Sequence, residues 1–326
     1  MHVSKNQYTR ANRLNTGGAH ATAVLAGAEP VLSRRALSNS PSGGYAPGAV
    51  SCPSQPLIRS ARNISDGEAA FLEKRHAVTD AALRDLLGRA GMTGFDYNAF
   101  IDSYSPTVAL AFSGGGYRAM LSGAGAVKAM DSRSPGSTGS GQLGGLLQSA
   151  TYFAGLSGGS WLLGSLILNN FTTIDALQRS EDLWDLEDSI LAPDSLSYYS
   201  DLRDEVNSKA DAGFETTLTD YWGRALSRQF LNWTDGGPGV TFSSIALTDG
   251  YKNAEHPFPI VVADERHPGE LIISLNATVF EFNPLEMGSW DPTLYSFTLL
   301  ETLGTNMTNG RPDQDNVCVR GFDNAG

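Results

Sequence analysis

Apolar residues recur along the chain in two registers. Behind "SDGE" (65–68), which has the Ser-x-x-Glu shape of a capping box, Phe71, Leu72, Ala82, Leu83, Leu86 and Leu87 return at helical spacing, and Gly91 offers a stop. The spacing predicts a helix over 65–91. "TVALAF" (107–112) is a short apolar run with β-branched residues, and it ends in "SGGG" (113–116). "YRAMLSGAGAVKAM" (117–130) has few strand formers after its tyrosine and many alanines, so the stretch reads strand, glycine turn, helix. The same pattern repeats after a flexible surface loop, "DSRSPGSTGSGQLGG" (131–145): "SATYFAGL" (149–156) is a strand and "GGSWLLGSLILNN" (158–170) a buried helix. Strand–turn–helix units in succession are how α/β sheets are built. Residues 180–232 read as mostly helical, with Trp184, Tyr199, Tyr221 and Trp222 available for packing. The strand signal returns in "FPIVVAD" (258–264) and "ELIISLNATVFEFNP" (270–284).

Residues 1–60 are rich in Gly, Ser, Pro and Ala and show no period, so they read as leader or loosely ordered arm. The boundary of the folded domain is set at 45, leaving 1–44 as an arm and 45–326 as the domain. As a signal peptide, "AHATAVLAGAEPVLSRRALS" (19–38) is poor, because its apolar patch is weak and sits late. No uninterrupted apolar run reaches the length of a transmembrane helix.

The chain is 41% hydrophobic and 18% charged, enough for a real core, and its formal charge is -12. That charge argues against nucleic acid as a partner and against electrostatic capture by anionic lipid. Any membrane contact has to be made through apolar side chains. Cys52 and Cys318 have no neighbour at metal-ligand spacing, so zinc is disfavoured. Their pairing stays open, including pairing of each with a partner outside this chain. Asn63, Asn170, Asn232, Asn276 and Asn306 begin Asn-x-Ser/Thr sequons and lean mildly toward secretion.

"GLSGG" (155–159) fits Gly-x-Ser-x-Gly between an apolar strand and an apolar helix. A nucleophile on a sharp strand-to-helix turn needs tiny neighbours, and the helix behind it aims free N–H groups and a dipole at a developing oxyanion. Ser157 is therefore a nucleophile or a structural turn, at even odds on the motif alone. "SGGGYRAM" (113–120) adds three glycines whose bare N–H groups can hold negative charge, with Arg118 close behind. The plain alternatives are a tight turn and a surface helix salt bridge.

"SGGGYRAM" about forty residues before "GLSGGSW" resembles the catalytic domain shared by fungal lysophospholipase/phospholipase B enzymes and the cytosolic calcium-dependent phospholipases. The likeness to the fungal branch extends through "GQLGGLLQSATYFAGLSGGSWLLGSL" (141–166), "FPIVVADERHPGE" (258–270), "TVFEFNPLEMGSWDP" (278–292) and "CVRGFDNAG" (318–326). It covers residues 45–326. It implies a patatin-like α/β fold with a central mixed sheet flanked by helices. It also implies a serine acyl hydrolase that releases fatty acids from lysophospholipids and glycerophospholipids, secreted or at the cell surface, without cofactor or metal. By the match, Ser157 is the nucleophile, Gly115 and Gly116 supply oxyanion N–H groups with Gly114 completing the turn, and Arg118 holds the lipid phosphate.

The resemblance implies a Ser–Asp dyad whose aspartate sits in an Asp-Gly-Gly motif beyond the point matching Gly326. "TDGGPG" (234–239) has the letters but the wrong setting, so the role is not transferred to Asp235, nor to Asp323. The chain is accordingly expected to be the N-terminal part of such an enzyme and inactive alone. Two alternatives stay open: a Ser–His–Asp esterase using His256 or His267, with Asp264 nearby, and a catalytically inactive glycoprotein domain.

Overall fold

The computed structural model describes residues 38–325 apart from 181–182, 185, 187–189, 191–196 and 268; the leader reading of residues 1–37 lies outside them. In chain order the elements are β1 (Gly48–Ser51), β2 (Ile58–Ser60), α1 (Asp66–Ala90), α2 (Tyr97–Tyr104), β3 (Ala109–Phe112), α3 (Gly116–Met130), β4 (Tyr152–Leu156), α4 (Gly158–Leu168) and α5 (Ile174–Arg179). They continue with α6 (Tyr198–Asp211), α7 (Leu218–Phe230), α8 (Asp249–Lys252), β5 (Phe258–Asp264), β6 (Val279–Phe282) and β7 (Glu286–Ser289). The last are β8 (Ser296–Leu299), β9 (Met307–Thr308), β10 (Arg311–Pro312) and β11 (Val317–Arg320).

Seven strands form one sheet in the order β2-β8-β7-β6-β5-β4-β3. The pairs β3/β4 and β4/β5 are parallel and the remaining pairs antiparallel, so the sheet is mixed, as expected. Strands β3 and β4, each followed by a glycine turn and a helix, are the ones whose next strand in sequence is a parallel neighbour, since that pairing requires a crossover. Phe153 and Phe258 on the sheet, Met120 and Val127 on α3, and Leu162, Leu163 and Leu166 on α4 are buried together in the core. The two helices approach closely at Gly123, where a Cβ would lie 2.8 Å from Leu162 Cδ2.

Helix α1 follows its sequence signals. The Ser65 hydroxyl accepts the Glu68 N–H at 3.2 Å, and Gly91 ends the helix at φ 64°. Glu68 does not return the bond to Ser65; its carboxylate turns inward and accepts the Tyr152 hydroxyl at 2.7 Å. Two turns later Arg75 is fully buried. Its guanidinium donates to the carbonyls of Ala150, Gln148 and Ala254 at 2.8–3.0 Å, tying α1 to the segments that lead into β4 and β5.

Two sequence readings are corrected and one open question is decided. The first sixty residues are not unstructured throughout: β1 and β2 lie within them, and Ser38 and Ser40 hydrogen-bond to the Gly239 carbonyl. These short strands carry no period because pairing with β11 and β8 orders them, not an amphipathic face. Cys52 and Cys318 bond to each other across 266 residues, because the β1–β11 ladder sets Val50 opposite Cys318, so neither needs an outside partner. Of the apolar stretch 270–284, only Val279–Phe282 is strand. Residues 269–278 form an irregular loop held by local bonds such as Ala277 N–H to Ser274 O at 3.1 Å.

Candidate active site

Strands β3 and β4 pair in parallel with Phe112 opposite Gly155, so both glycine turns leave the same edge of the sheet. Turn 113–115 reverses the chain with Gly115 at φ 136° and Gly116 at φ 62°, backbone that residues with a Cβ rarely adopt. Helix α3 then begins without a side-chain cap, so its first N–H groups face outward from the turn.

Ser157 sits between β4 and α4 at φ 51°, ψ −118°. For a serine this is strained backbone, worth of order 1–3 kcal/mol. It is the geometry of a nucleophile elbow, in which the side chain is thrust out of a strand-to-helix turn. Ser157 is exposed, and its side chain does not cap α4.

Three glycines, Gly114, Gly158 and Gly159, let the two turns close on each other, and Gly155 lets the Ser157 turn close on itself. A Cβ on Gly158 would lie 2.2 Å from Gly116 O, one on Gly159 2.2 Å from Phe112 O, and one on Gly155 2.6 Å from Gly159 O. A Cβ on Gly114 would lie 2.9 Å from Ser157 Cβ and 3.6 Å from its Oγ. The serine hydroxyl is therefore beside the turn that contains Gly114, Gly115 and Gly116. Two free helix N-termini converge here, a setting that favours negative charge.

A cleft of ≈ 470 Å³ opens along the flank of α4. It begins at Ser160 and Trp161, one turn past Ser157, and runs to Leu168 between Phe230, Val261 and Phe282. Its lining is mainly apolar, the character of a site for a hydrocarbon ligand. Ser160 Oγ and Asp323 Oδ1 are buried there without a hydrogen bond.

The family model for the lysophospholipase catalytic domain matches residues 108–326. This chain belongs to that family. It is 52% identical over 313 residues to Lysophospholipase 1 of Aspergillus fumigatus, covering 90% of this chain and 49% of that protein. It is 50% identical over 311 residues to a lysophospholipase of Penicillium chrysogenum, covering 90% and 51%. The chain thus spans about half the length of these curated relatives. Among solved structures, human GIVD cytosolic phospholipase A2 superposes with a TM-score of 0.61 at 21% identity, over 83% of this chain and 35% of that one. The same protein in complex with methyl gamma-linolenyl fluorophosphonate gives 0.57 at 21% identity, over 83% and 37%. These likenesses show the α/β fold of the lysophospholipase family.

In this lysophospholipase-family chain no group hydrogen-bonds the Ser157 hydroxyl among the described residues. His256 is at the other end of the strands, because it precedes Phe258, which pairs with Tyr152 at the start of β4. It is buried against Phe71, Phe171 and Tyr251, its Nδ1 lies 2.9 Å from Pro257 O, and burial pulls its pKa down to about 4. His267 is exposed and leans on Glu265 at 3.4 Å. Asp264 ends β5 and is exposed.

Neither remaining aspartate meets Ser157. Asp235 lies past α7, mostly exposed, with Arg228 at 3.8 Å. Asp323 is buried and accepts the Ser243 N–H at 2.8 Å, and burial raises its pKa. Among the described residues no three His, Cys, Asp or Glu side chains gather as a metal site.

Arg118 is exposed in the first turn of α3 and makes no ion pair among the described residues. The five sequon asparagines, Asn63, Asn170, Asn232, Asn276 and Asn306, are all exposed. One side chain at the site escaped the sequence reading. Leu156, the last residue of β4, is exposed immediately before Ser157, at the end of a strand whose other residues alternate between buried and half-buried.

Proposed function

We propose that this chain carries the nucleophile and oxyanion turn of a lysophospholipase/phospholipase B, a serine acyl hydrolase acting on lysophospholipids and glycerophospholipids. The observation that carries it is the contact between Ser157 and the Gly114 turn. Ser157 Oγ attacks the ester carbonyl. The resulting oxyanion is held by the N–H groups of Gly115 and Gly116, with Gly114 shaping the turn. As the tetrahedral intermediate collapses, the C–O bond breaks, the alcohol leaves and an acyl-serine remains for water to cleave. Arg118, exposed and without an ion pair among the described residues, holds the lipid phosphate in this reading. The apolar cleft along α4 suits the acyl chain.

A serine hydroxyl needs a base within hydrogen-bond reach. The family resemblance assigns that role to an aspartate in a part of the relatives that this chain does not span. A histidine triad has no support from His256, which is remote and buried, or from His267, which is paired with Glu265. The exposed sequons and the Cys52–Cys318 bond support a secreted or cell-surface glycoprotein, since disulfides persist in oxidising compartments. A mobility shift on enzymatic removal of N-glycans from the native protein checks this.

A fluorophosphonate probe tests the nucleophile. Peptide mapping is expected to find slow labelling at Ser157, absent in Ser157→Ala and unchanged in His256→Gln and His267→Gln. Hydrolysis of lysophosphatidylcholine by this chain alone is expected near background. A folded sample that stays unlabelled sinks the nucleophile assignment. Turnover that depends on His267 replaces it with the triad.

A further inference from the structure

We infer that loop 269–278 is an interfacial anchor that inserts Leu271, Ile272 and Leu275 into a zwitterionic lipid surface and so seats the Ser157 edge of the sheet on it. This rests on the proposed lipid substrate.

The first observation is exposure. Leu271 is 95% exposed, Ile272 82% and Leu275 104%. Three large aliphatic side chains within five residues, all nearly bare, form a surface that folded proteins keep for a partner. A strand would have hidden alternate members, but the loop hides none of the three.

The second observation is place. Leu156 pairs with Val262, and β5 runs two residues further to Asp264, opposite Val279. The Glu265 N–H still reaches Thr278 O at 2.8 Å. The β5–β6 ladder beside Ser157 therefore ends at Glu265 and Thr278, about three residues or roughly 10 Å of extended chain beyond the level of Leu156, and the loop hangs from that end. It leaves from the edge where the serine and glycine turns emerge. A second apolar loop joins it. Strand β7 runs back toward this edge, with Gly288 opposite Glu281, and the β7–β8 connection exposes Trp290 and Leu294. The indole of Trp290 packs against Phe297 while its N–H donates to Glu281 at 3.0 Å, the amphipathic posture of an interfacial aromatic.

The third observation is charge. The loop and its stem hold Asp264, Glu265 and Glu270 against Arg266 and His267. Arg266 is committed to the Glu270 carbonyl and His267 faces Glu265. The loop and its stem thus hold no uncommitted basic side chain among the described residues, and the chain as a whole carries a net charge of -12, so the loop has nothing to draw anionic headgroups. Insertion of side chains between uncharged-on-balance headgroups is the mode that remains, and phosphatidylcholine provides such a surface.

The test uses the whole chain with Ser157→Ala, so that lipid is not consumed. It is made in a host without N-glycosylation, which keeps sugar off Asn276 beside Leu275. Co-sedimentation with phosphatidylcholine vesicles is compared with that of the same protein carrying Leu271→Ser, Ile272→Ser and Leu275→Ser. The loop variant is expected to melt like its parent, because all three residues face water, and to lose at least about tenfold in vesicle partitioning. Raising the salt or adding phosphatidylserine is expected to leave the parent's binding unchanged. Absence of vesicle binding by the parent overturns the proposal, as does equal binding by both proteins. So does binding that appears only with phosphatidylserine and disappears in salt. A loop variant that only converts a dimer to a monomer assigns the surface to a second copy and also overturns it. Fluorophosphonate labelling of Ser157 in lipid-free solution reads the nucleophile separately, so failure of one reading leaves the other standing.

Discussion

Gly114 and Ser157 occupy each other's space: a single methyl on the glycine would come within 2.9 Å of the serine Cβ. The Ser157 turn and the Gly114 turn are thus packed directly against each other.

That contact separates glycines needed for shape from those that are not. Gly114→Ala is expected to fold and to slow fluorophosphonate labelling of Ser157 at least about tenfold, because the methyl displaces the serine or the oxyanion turn. Gly125→Ala, in the exposed face of α3 with nothing within 4 Å of the new Cβ, is expected to raise stability by about 0.5–1 kcal/mol. Denaturant melts and labelling rates of the two variants check both. A Gly114→Ala protein that labels at the parental rate would show that the contact has no bearing on the serine.

Arg75 is expected to be a stability residue far from the chemistry. Arg75→Met leaves the carbonyls of Ala150, Gln148 and Ala254 without their donor in the interior. A loss of about 3 kcal/mol or more is expected in urea unfolding. A loss under about 1 kcal/mol would mean that water replaces the guanidinium.

Two buried groups give stability opposite slopes with pH. His256 has a folded pKa of about 4 against an ordinary 6.5, so the unfolded chain takes up the proton first as pH falls. Stability drops from pH 6.5 down to about 4 and then levels off. Glu68 is raised from 4.5 to about 7, chiefly by burial, so the folded chain keeps its proton longer as pH rises. Its contribution falls between pH 4.5 and 7. Glu68→Gln is expected to raise the melting temperature at pH 8 and leave it unchanged near pH 4. His256→Gln is expected to flatten the acid side. Parallel melting curves for variant and parent across this range would refute either assignment.

Loss of the Cys52–Cys318 bond frees a loop of 266 residues and the β1–β11 ladder with it. The Cys52→Ser, Cys318→Ser double variant is expected to lose about 2–5 kcal/mol. Because Cys318 is fully buried, a water-soluble reductant is expected to act on the native protein only slowly. Rapid thiol release without denaturant would contradict this.

The elements that the sequence made legible carry their instructions locally. Ser65 and Gly91 bracket α1, and the glycines after "TVALAF" and around Ser157 mark the two turns, because capping, positive φ and helical spacing depend on neighbours a few residues away. The candidate nucleophile and its glycine turn are readable for the same reason, and the family resemblance joins them.

What the sequence alone left undecided depends on residues far apart in the chain. The apolar run at 271–275 has the composition of a strand, yet among the described residues no strand pairs with it, and its side chains are left exposed. β1 and β2 look featureless but are ordered by β11 and β8, more than two hundred residues away. Arg75 reads as one more helix charge and is buried because three carbonyls from two distant segments converge on it. Local pattern determines which backbone conformation a segment prefers. Burial, pairing and reach to Ser157 are set by which segments meet, and only the folded chain decides that.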